Sequence, residues 1–394
     1  MKRVCSIFSQ VLQLIPRDRF EAAVEKHNAE RHARGFSSWG QLVAMLFCQL
    51  GQARSLREIT EGLQASEGKL KHLGLPAAPA RSTLAYANGH RPWELFETVF
   101  HQLLADCRKR LGVAKAGARL GLPGKLLSLD ATVIDLCAAV FDWAKFRTTK
   151  GAVKLHLLLD HDGYLPCYAV VTEGKVHEIQ VARKLKLQSG TMLVFDRGYT
   201  DYEWFRRLTE EEVHFVTRLK ENATYLVVEC RSPDGDGIRA DEIIAMEKQA
   251  QTDIETAPFL RRVRYWDETT QRELVFLTNH LDLPAVTVAA LYKERWQVEL
   301  LFKALKQNLR IKTFVGTTAN ALKTQIWTAL IALLAVKFLQ LQAKFPWSLS
   351  RLIALLRQQL FVYRDLWRWI ESPFEPPLPL TAEDSPQLPF AWAP

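Results

Sequence analysis

The chain has 394 residues, 48% of them hydrophobic and 24% charged, and a formal net charge of +9. This is ordinary soluble globular composition, long enough for two or three domains with sizeable cores. The positive excess favours polyanionic partners without proving them. The six cysteines, at 5, 48, 107, 137, 167 and 230, are too dispersed for a C-x2-C zinc site or a secreted disulfide framework. Reduced thiols and a cytoplasmic location are expected. The start MKRVCSIFSQVLQLIPRDRF is basic, but Ser, Gln and Pro break its apolar stretch, so it is a poor signal peptide. The longest apolar run, Ile326–Val336, ends at Lys337 and is too short to span a membrane. It reads as a core helix, and no membrane partner is expected.

Residues 1–112 read as helical. Ser38-Trp39-Gly40-Gln41 and Ser55-Leu56-Arg57-Glu58 both fit the S-x-x-E/Q capping box. Ser82-Thr83 opens a short helix after Pro76–Pro79, and Pro92 leads into a helix with Phe96, Val99, Phe100, Leu103 and Leu104 at helical spacing. Basic residues at 81, 91, 108, 109 and 110 suit a DNA-binding domain; a plain helical bundle fits equally well.

From Lys125 the period changes. Leu126–Asp130 reads as a short buried strand ending in an acid. Val153–Leu159 and Leu165–Val171 read as a hairpin around Asp160-His161-Asp162-Gly163. A helix is expected at about 177–187, a second strand ending in an acid at Met192–Asp196, a helix at Tyr202–Leu208 and a strand at Val213–Leu219. Three strands, helix, strand, helix, strand is the order of an RNase H-like α/β core, here 125–220 with 288–325. Between its parts, 221–287 is strand-rich (Tyr225–Val228, Arg261–Trp266, Glu273–Leu277) and reads as an inserted β-rich domain. C-terminal helices are expected over 326–370, then a Pro-rich tail at 371–394.

The most informative segment is YKERWQVELLFKALK at 292–306. On one α-helix Tyr292, Arg295, Glu299 and Lys306 share an arc of about 60°. Leu291, Trp296, Leu300, Leu301 and Leu305 take the other faces, so a largely buried helix is expected. Arg295 and Glu299 could be an ordinary i,i+4 ion pair. A polar stripe on a buried helix is costly unless paired or bound to a ligand, however.

Asp130 and Asp196 supply companions. In an RNase H-like sheet the first and fourth strands are neighbours, so Glu299 can reach the same point. Three clustered carboxylates repel unless a cation sits among them, and their hard oxygens suit Mg²⁺ or Mn²⁺. Two such ions could activate a water or a 3′-hydroxyl and stabilise the leaving oxygen. Each Asp alone could instead be a turn or cap residue. Asp135, Asp160 and Asp201 compete; Asp160 is better explained by its turn and Asp201 as a helix cap. His156 and His177 read as structural.

Asp130, the DRGYTDYEWF segment at 196–205 and the Y-x2-R-x3-E-x6-K pattern together resemble the DDE transposases of bacterial insertion sequences, in the IS-four family. SLREI at 55–59 and RSTLAYAN at 81–88 resemble the amino-terminal domain of one branch. The resemblance covers most of the chain. It implies a cut-and-paste reaction at the element's ends, with Asp130, Asp196 and Glu299 binding two divalent ions. It also implies that Tyr292, Arg295 and Lys306 hold the DNA backbone. Double-stranded DNA, as terminal inverted repeats and target, is the implied partner, with a dimer in the synaptic complex. A hairpin intermediate is also implied, in which an aromatic of the insertion receives a flipped base; Trp266 is the candidate, or packs within its sheet. Arg197 is a further DNA-binding candidate, and Lys150, Lys154, Lys303, Arg310, Lys312 and Lys323 are weaker ones. A transposase-derived DNA-binding regulator and an RNase H-like nuclease are the alternatives.

Overall fold

Side-chain caps start several of the helices. The computed structural model describes residues 5–31, 33–66, 68–112, 116–137, 139–147, 150–246 and 259–375. Helices α1 (Ile7–Leu12), α2 (Arg17–Lys26), α3 (Ser38–Leu50), α4 (Leu56–Gln64), α5 (Arg81–His90) and α6 (Glu94–Leu111) come first. Ser55 caps α4 as the motif predicts, its hydroxyl accepting from Glu58 N at 3.1 Å. For α3 the cap is Ser37 rather than Ser38, its hydroxyl accepting from Gly40 N at 3.1 Å. Gln41 is then not a capping partner. It is buried and donates to Asn88 Oδ1 at 2.9 Å, tying α3 to α5.

The strands are β1 (Leu126–Leu136), β2 (Lys145–Arg147), β3 (Lys150–Asp160), β4 (Leu165–Glu173), β5 (Met192–Phe195), β6 (His214–Arg218), β7 (Tyr225–Arg231), β8 (Ile238–Met246), β9 (Leu260–Asp267) and β10 (Arg272–Thr278). Among the described residues they form one ten-stranded mixed sheet in the order β2-β3-β1-β5-β6-β10-β9-β8-β7, with β4 on β3. β1 runs antiparallel to β3 and parallel to β5, and β5 is parallel to β6. The β3–β4 turn needs left-handed backbone at Gly163 and Tyr164 (φ 79° and 53°). Short helices α7 (Glu178–Ala182) and α8 (Tyr202–Glu210) flank β5. Asp201 caps α8, accepting from Trp204 N at 2.8 Å.

Two strand expectations change. β1 does not stop at Asp130; it continues to Leu136, still paired with β3, and only its pairing with β5 ends, at Leu129–Phe195. β8 was hidden by its charges: Asp241 and Glu242 are neutralised by Arg261 and Arg262 of β9, so no apolar alternation marks the strand. The strands of 221–287 also continue the main sheet, because β10 pairs antiparallel with β6.

After the strands come α9 (Ala285–Glu294), α10 (Trp296–Asn308), α11 (Ala319–Gln342), α12 (Leu349–Gln359) and α13 (Leu366–Glu371). α11 is long and apolar enough to cross a membrane by length and composition, but 83% of that window is buried inside the protein. It is apolar all round because it is enclosed. Trp327 packs against Phe100 of α6, and its residues share a core with α3, α6, α12 and one end of the sheet. The expected Pro-rich tail lies outside the described residues from 376 onward.

Candidate active site

Alternation along β1 and β5 sorts the sheet into two faces. Leu127, Leu129, Leu193 and Phe195 pack with Trp204 and Phe205 of α8. Leu126, Met192 and Val194 pack on the other face with Val288, Leu291 and Tyr292 of α9. Asp130 and Asp196 follow the register pair Leu129–Phe195 on adjacent parallel strands, so both carboxylates belong to the α9 face. Each also takes a local hydrogen bond: Asp130 Oδ1 from Ala131 N at 2.8 Å, and Asp196 Oδ1 from Gly198 N at 2.6 Å.

Glu299 arrives from above through Arg295. The predicted single helix is two, α9 and α10, meeting at Arg295. The backbone tightens there to i,i+3 bonds, Arg295 N to Tyr292 O and Val298 N to Arg295 O, both 3.1 Å. The break changes what is exposed: Trp296 is 56% and Leu300 41% accessible, not buried as one continuous helix implies. Arg295 Nη2 donates to Glu299 Oε1 at 2.6 Å, and Nη1 lies 3.6 Å from Asp130 Oδ2. One guanidinium therefore bridges two of the three acids. Its face also covers the Tyr292 ring at 5.4 Å, and Tyr292 is buried against Phe276.

The electrostatics are tense. Burial pushes the Asp130 carboxyl up to about 6; Ala131 N–H and Arg295 pull it down, while Glu299 and Asp196 push it up again. Burial works against charge on Arg295, but Tyr292, Glu299 and Asp130 hold it protonated above its ordinary range. Lys306 donates to Val133 O of β1 at 2.9 Å, and burial with the nearby Lys312 lowers its pKa. Among the described residues no three Asp, Glu, His or Cys side chains are gathered closely enough to hold a metal ion as they stand. Arg295 takes the role of cation between Asp130 and Glu299. The donors are nevertheless all hard oxygens, and their mutual repulsion is what a divalent cation would relieve. The donor set is of the right chemistry for such an ion, but the three acids are not gathered around one point while Arg295 holds Glu299.

The other predicted residues are spread out. Arg197 pairs with Glu221 at 3.0 Å on the rim of an open cleft of about 550 Å³. Asp196, Gly198, Lys220 and Asn222 also line this cleft. Trp266 lies opposite Glu273 on β10, on the face away from α9. Its neighbour Tyr265 is the aromatic turned to the α9 side, where its hydroxyl accepts from Lys293 Nζ at 3.2 Å. Strand parity signals that difference, but only once the register is known. Tyr199 was legible merely as part of DRGY. It is buried, its hydroxyl lacks a hydrogen-bond partner, and burial with the charges of Asp130, Glu178 and Asp196 raises its pKa.

The family model described as the transposase DDE domain matches residues 122–335, spanning all three acids. A protein of Sinorhizobium fredii bearing the transposase name y4zB is 33% identical over 296 residues, 74% of this chain and 80% of that protein. The chain belongs to the DDE transposase family. It is thus an enzyme of the class that cleaves DNA and transfers its strands, and the family normally uses divalent metal ions. A Geobacillus stearothermophilus protein named for the transposase of insertion sequence element IS5377 is 26% identical, covering 68% of this chain and 70% of its own length. A Synechocystis protein named for element IS4SA is 22% identical, covering 66% and 71%. The resemblance to insertion-sequence transposases of the IS-four type is thereby shown. Residues 4–76 of this DDE transposase also match a family described as a domain of unknown function. A looser structural likeness, to the piggyBac transposase synaptic complex with hairpin DNA, has a TM-score of 0.46 at 10% identity over 96% of this chain and 83% of that one. It is too distant to bear on the site.

Proposed function

We propose that this transposase excises and inserts a bacterial insertion sequence by cut-and-paste, with Asp130, Asp196 and Glu299 as its acidic triad. The observation that carries the reading is the adjacency of Asp130 and Asp196 on parallel neighbours, joined to Glu299 through Arg295. The order β4-β3-β1-β5-β6 supports an RNase H-like core made of 125–220 and 288–325. The segment 221–287 would be its β-rich insertion, 1–112 the helical DNA-binding domain and 326–370 the C-terminal helices.

Bound as a pair, Mg²⁺ or Mn²⁺ ions would activate a water or 3′-hydroxyl and stabilise the leaving oxygen. Asp130 and Asp196 would hold that site from the sheet, and Glu299 would close it from α10. A DNA phosphate competes with the two acids for the planar fork of Arg295. Engaging the phosphate frees Glu299 and Asp130 as ligands. Lys306 adds a point charge toward the DNA backbone, and Tyr292 supports Arg295 from below. The partners are the element's terminal inverted repeats and target DNA, bound by a dimer in the synaptic complex. Such an enzyme acts in the bacterial cytoplasm, at the nucleoid when on DNA.

The test is incubation with Mg²⁺ and DNA carrying the element's ends. Strand cleavage with joined products, absent in Asp196→Asn, is expected. Binding without cleavage by the unmutated protein would mean a regulator, and cleavage without joined products a nuclease. Lys306→Ala has a milder expected effect: weaker binding to all sequences, with the log–log salt slope shallower by about 1. Binding titrations at several salt concentrations measure it; an unchanged slope removes Lys306 from the DNA path.

A further inference from the structure

Directly beneath the acids lies a polar chain, buried at Ser128 and His161, that the metal and DNA chemistry does not use. Ser128 precedes Asp130 by two residues on the same face of β1 and is fully buried. Its Oγ lies 2.7 Å from His161 Nε2. His161, itself buried, is anchored by its backbone N–H to Leu126 O at 3.1 Å. On the ring's far side Nδ1 stands 3.4 Å from Glu294 Oε2. Tyr164 Oη is also 3.4 Å from that oxygen, and Lys337 of α11 faces the Tyr164 ring at 5.9 Å. Glu294 is the last residue of α9, and the next residue is Arg295.

The set has the composition of a nucleophilic triad, but Ser128 is closed to solvent, so no substrate reaches its oxygen. What the chain joins is more telling: the strand that carries Asp130 and the helix joint that carries Arg295. Glu294 at 3.4 Å is a polar neighbour of the ring, too distant for a well-formed hydrogen bond, and Nδ1 has no other partner. Asp160 and Asp162 are the other charges near the ring. With the proton on Nδ1 facing the Glu294 carboxylate, Nε2 accepts from the Ser128 hydroxyl, so one tautomer serves both contacts.

The geometry points to His161 as a positioning residue for strand cleavage: by tying Ser128 to Glu294 it sets the α9–α10 joint and, through Arg295, the reach of Glu299 to Asp130. This rests on the proposed triad. A residue that only filled the core would lower the amount of folded enzyme and nothing else. A residue that spaces the carboxylates changes how the folded enzyme responds to metal.

The experiment compares the full-length protein with His161→Leu, Glu294→Gln and Ser128→Ala in single-turnover cleavage of end-bearing DNA over a Mg²⁺ series. End binding without metal and thermal unfolding are measured in parallel. His161→Leu and Glu294→Gln should each slow cleavage by about 10–100-fold and raise the half-saturating Mg²⁺, as displaced supports of metal ligands do. End affinity should stay within about twofold, and the double variant should be no slower than the worse single, because the two act as one unit. Glu294 is one-third exposed, so its variant decides the matter if His161→Leu does not fold. An unmoved Mg²⁺ midpoint, a loss that only tracks folded fraction, or multiplying effects in the double variant would each overturn the proposal. Cleavage by the unmutated protein and its loss in Asp196→Asn stand apart from these outcomes, so failure here leaves the triad reading intact.

Discussion

Replacing Glu299 with glutamine is expected to slow strand cleavage by about three orders of magnitude, roughly 4 kcal/mol of transition-state stabilisation. The side chain keeps its shape and can still accept from Arg295, now at 2.6 Å. What is lost is one negative charge among three, and with it the proposed third ligand. Folding should be preserved and end binding at least as tight as native, since Arg295 is freer for phosphate, so the loss belongs to chemistry. Asp130 offers a second readout. Glu299 is one of the charges raising its carboxyl to about 6. In the native protein without metal, Asp130 takes up a proton as pH falls through that value, and a proton and a cation compete for the same oxygens. Mn²⁺ affinity should therefore weaken below about pH 6, and in Glu299→Gln the onset should move to more acid pH. Calorimetric titrations of Mn²⁺ between about pH 5 and 7.5 resolve the two curves. Cleavage at a native rate by the variant, at any Mg²⁺ concentration, would remove Glu299 from the triad.

Arg261→Leu should produce the largest loss of stability, about 3–5 kcal/mol, because it strands a buried charge. Arg261 grips Asp241 with both arms, Nε to Oδ1 at 2.8 Å and Nη2 to Oδ2 at 2.6 Å, and the two side chains are only 5% and 6% exposed. Nη1 also donates to the carbonyls of Leu281, at 3.0 Å, and Leu283. Those carbonyls lie in the segment that delivers the chain from β10 to α9. Removing the guanidinium leaves the Asp241 carboxylate and the Leu283 carbonyl without their partner, while Leu281 O keeps its bond from Arg231 Nη1 at 2.6 Å. Adding Asp241→Leu should restore much of the loss, since an apolar pair of similar volume avoids the desolvation penalty. Urea unfolding of the two variants gives the comparison. A single variant within about 1 kcal/mol of native would show that water reaches the pair and screens it.

Part of the site's geometry is legible in the sequence: hydrophobic periods mark β1 and β5 with the acids that follow Leu129 and Phe195, and side-chain spacing groups Tyr292, Arg295 and Glu299, which the fold also brings together, while Lys306 turns to Val133 O of β1. No Pro or Gly falls between 285 and 308, so nothing local announced the break at Arg295. Trp296 and Leu300 consequently read as buried on sequence grounds, and the break exposes them. Asp130 looked strand-terminal because only half of β1 is apolar on both faces; the rest is held by β3 on one side, a long-range pairing that no local pattern records. β8 failed for a similar reason, its acids being balanced by arginines some twenty positions away in sequence. His161 carried the turn signal of its neighbours, which masked its place beneath the site.

The shared guanidinium has a thermodynamic consequence. Two ligands that draw on one group are linked, and the linkage is reciprocal. If DNA pulls Arg295 from Glu299, bound DNA raises the affinity for divalent cation by some factor, and bound cation raises the affinity for DNA by that same factor. Off the DNA, the enzyme would hold its cations weakly and its cutting chemistry would stay idle until the right strand is in place.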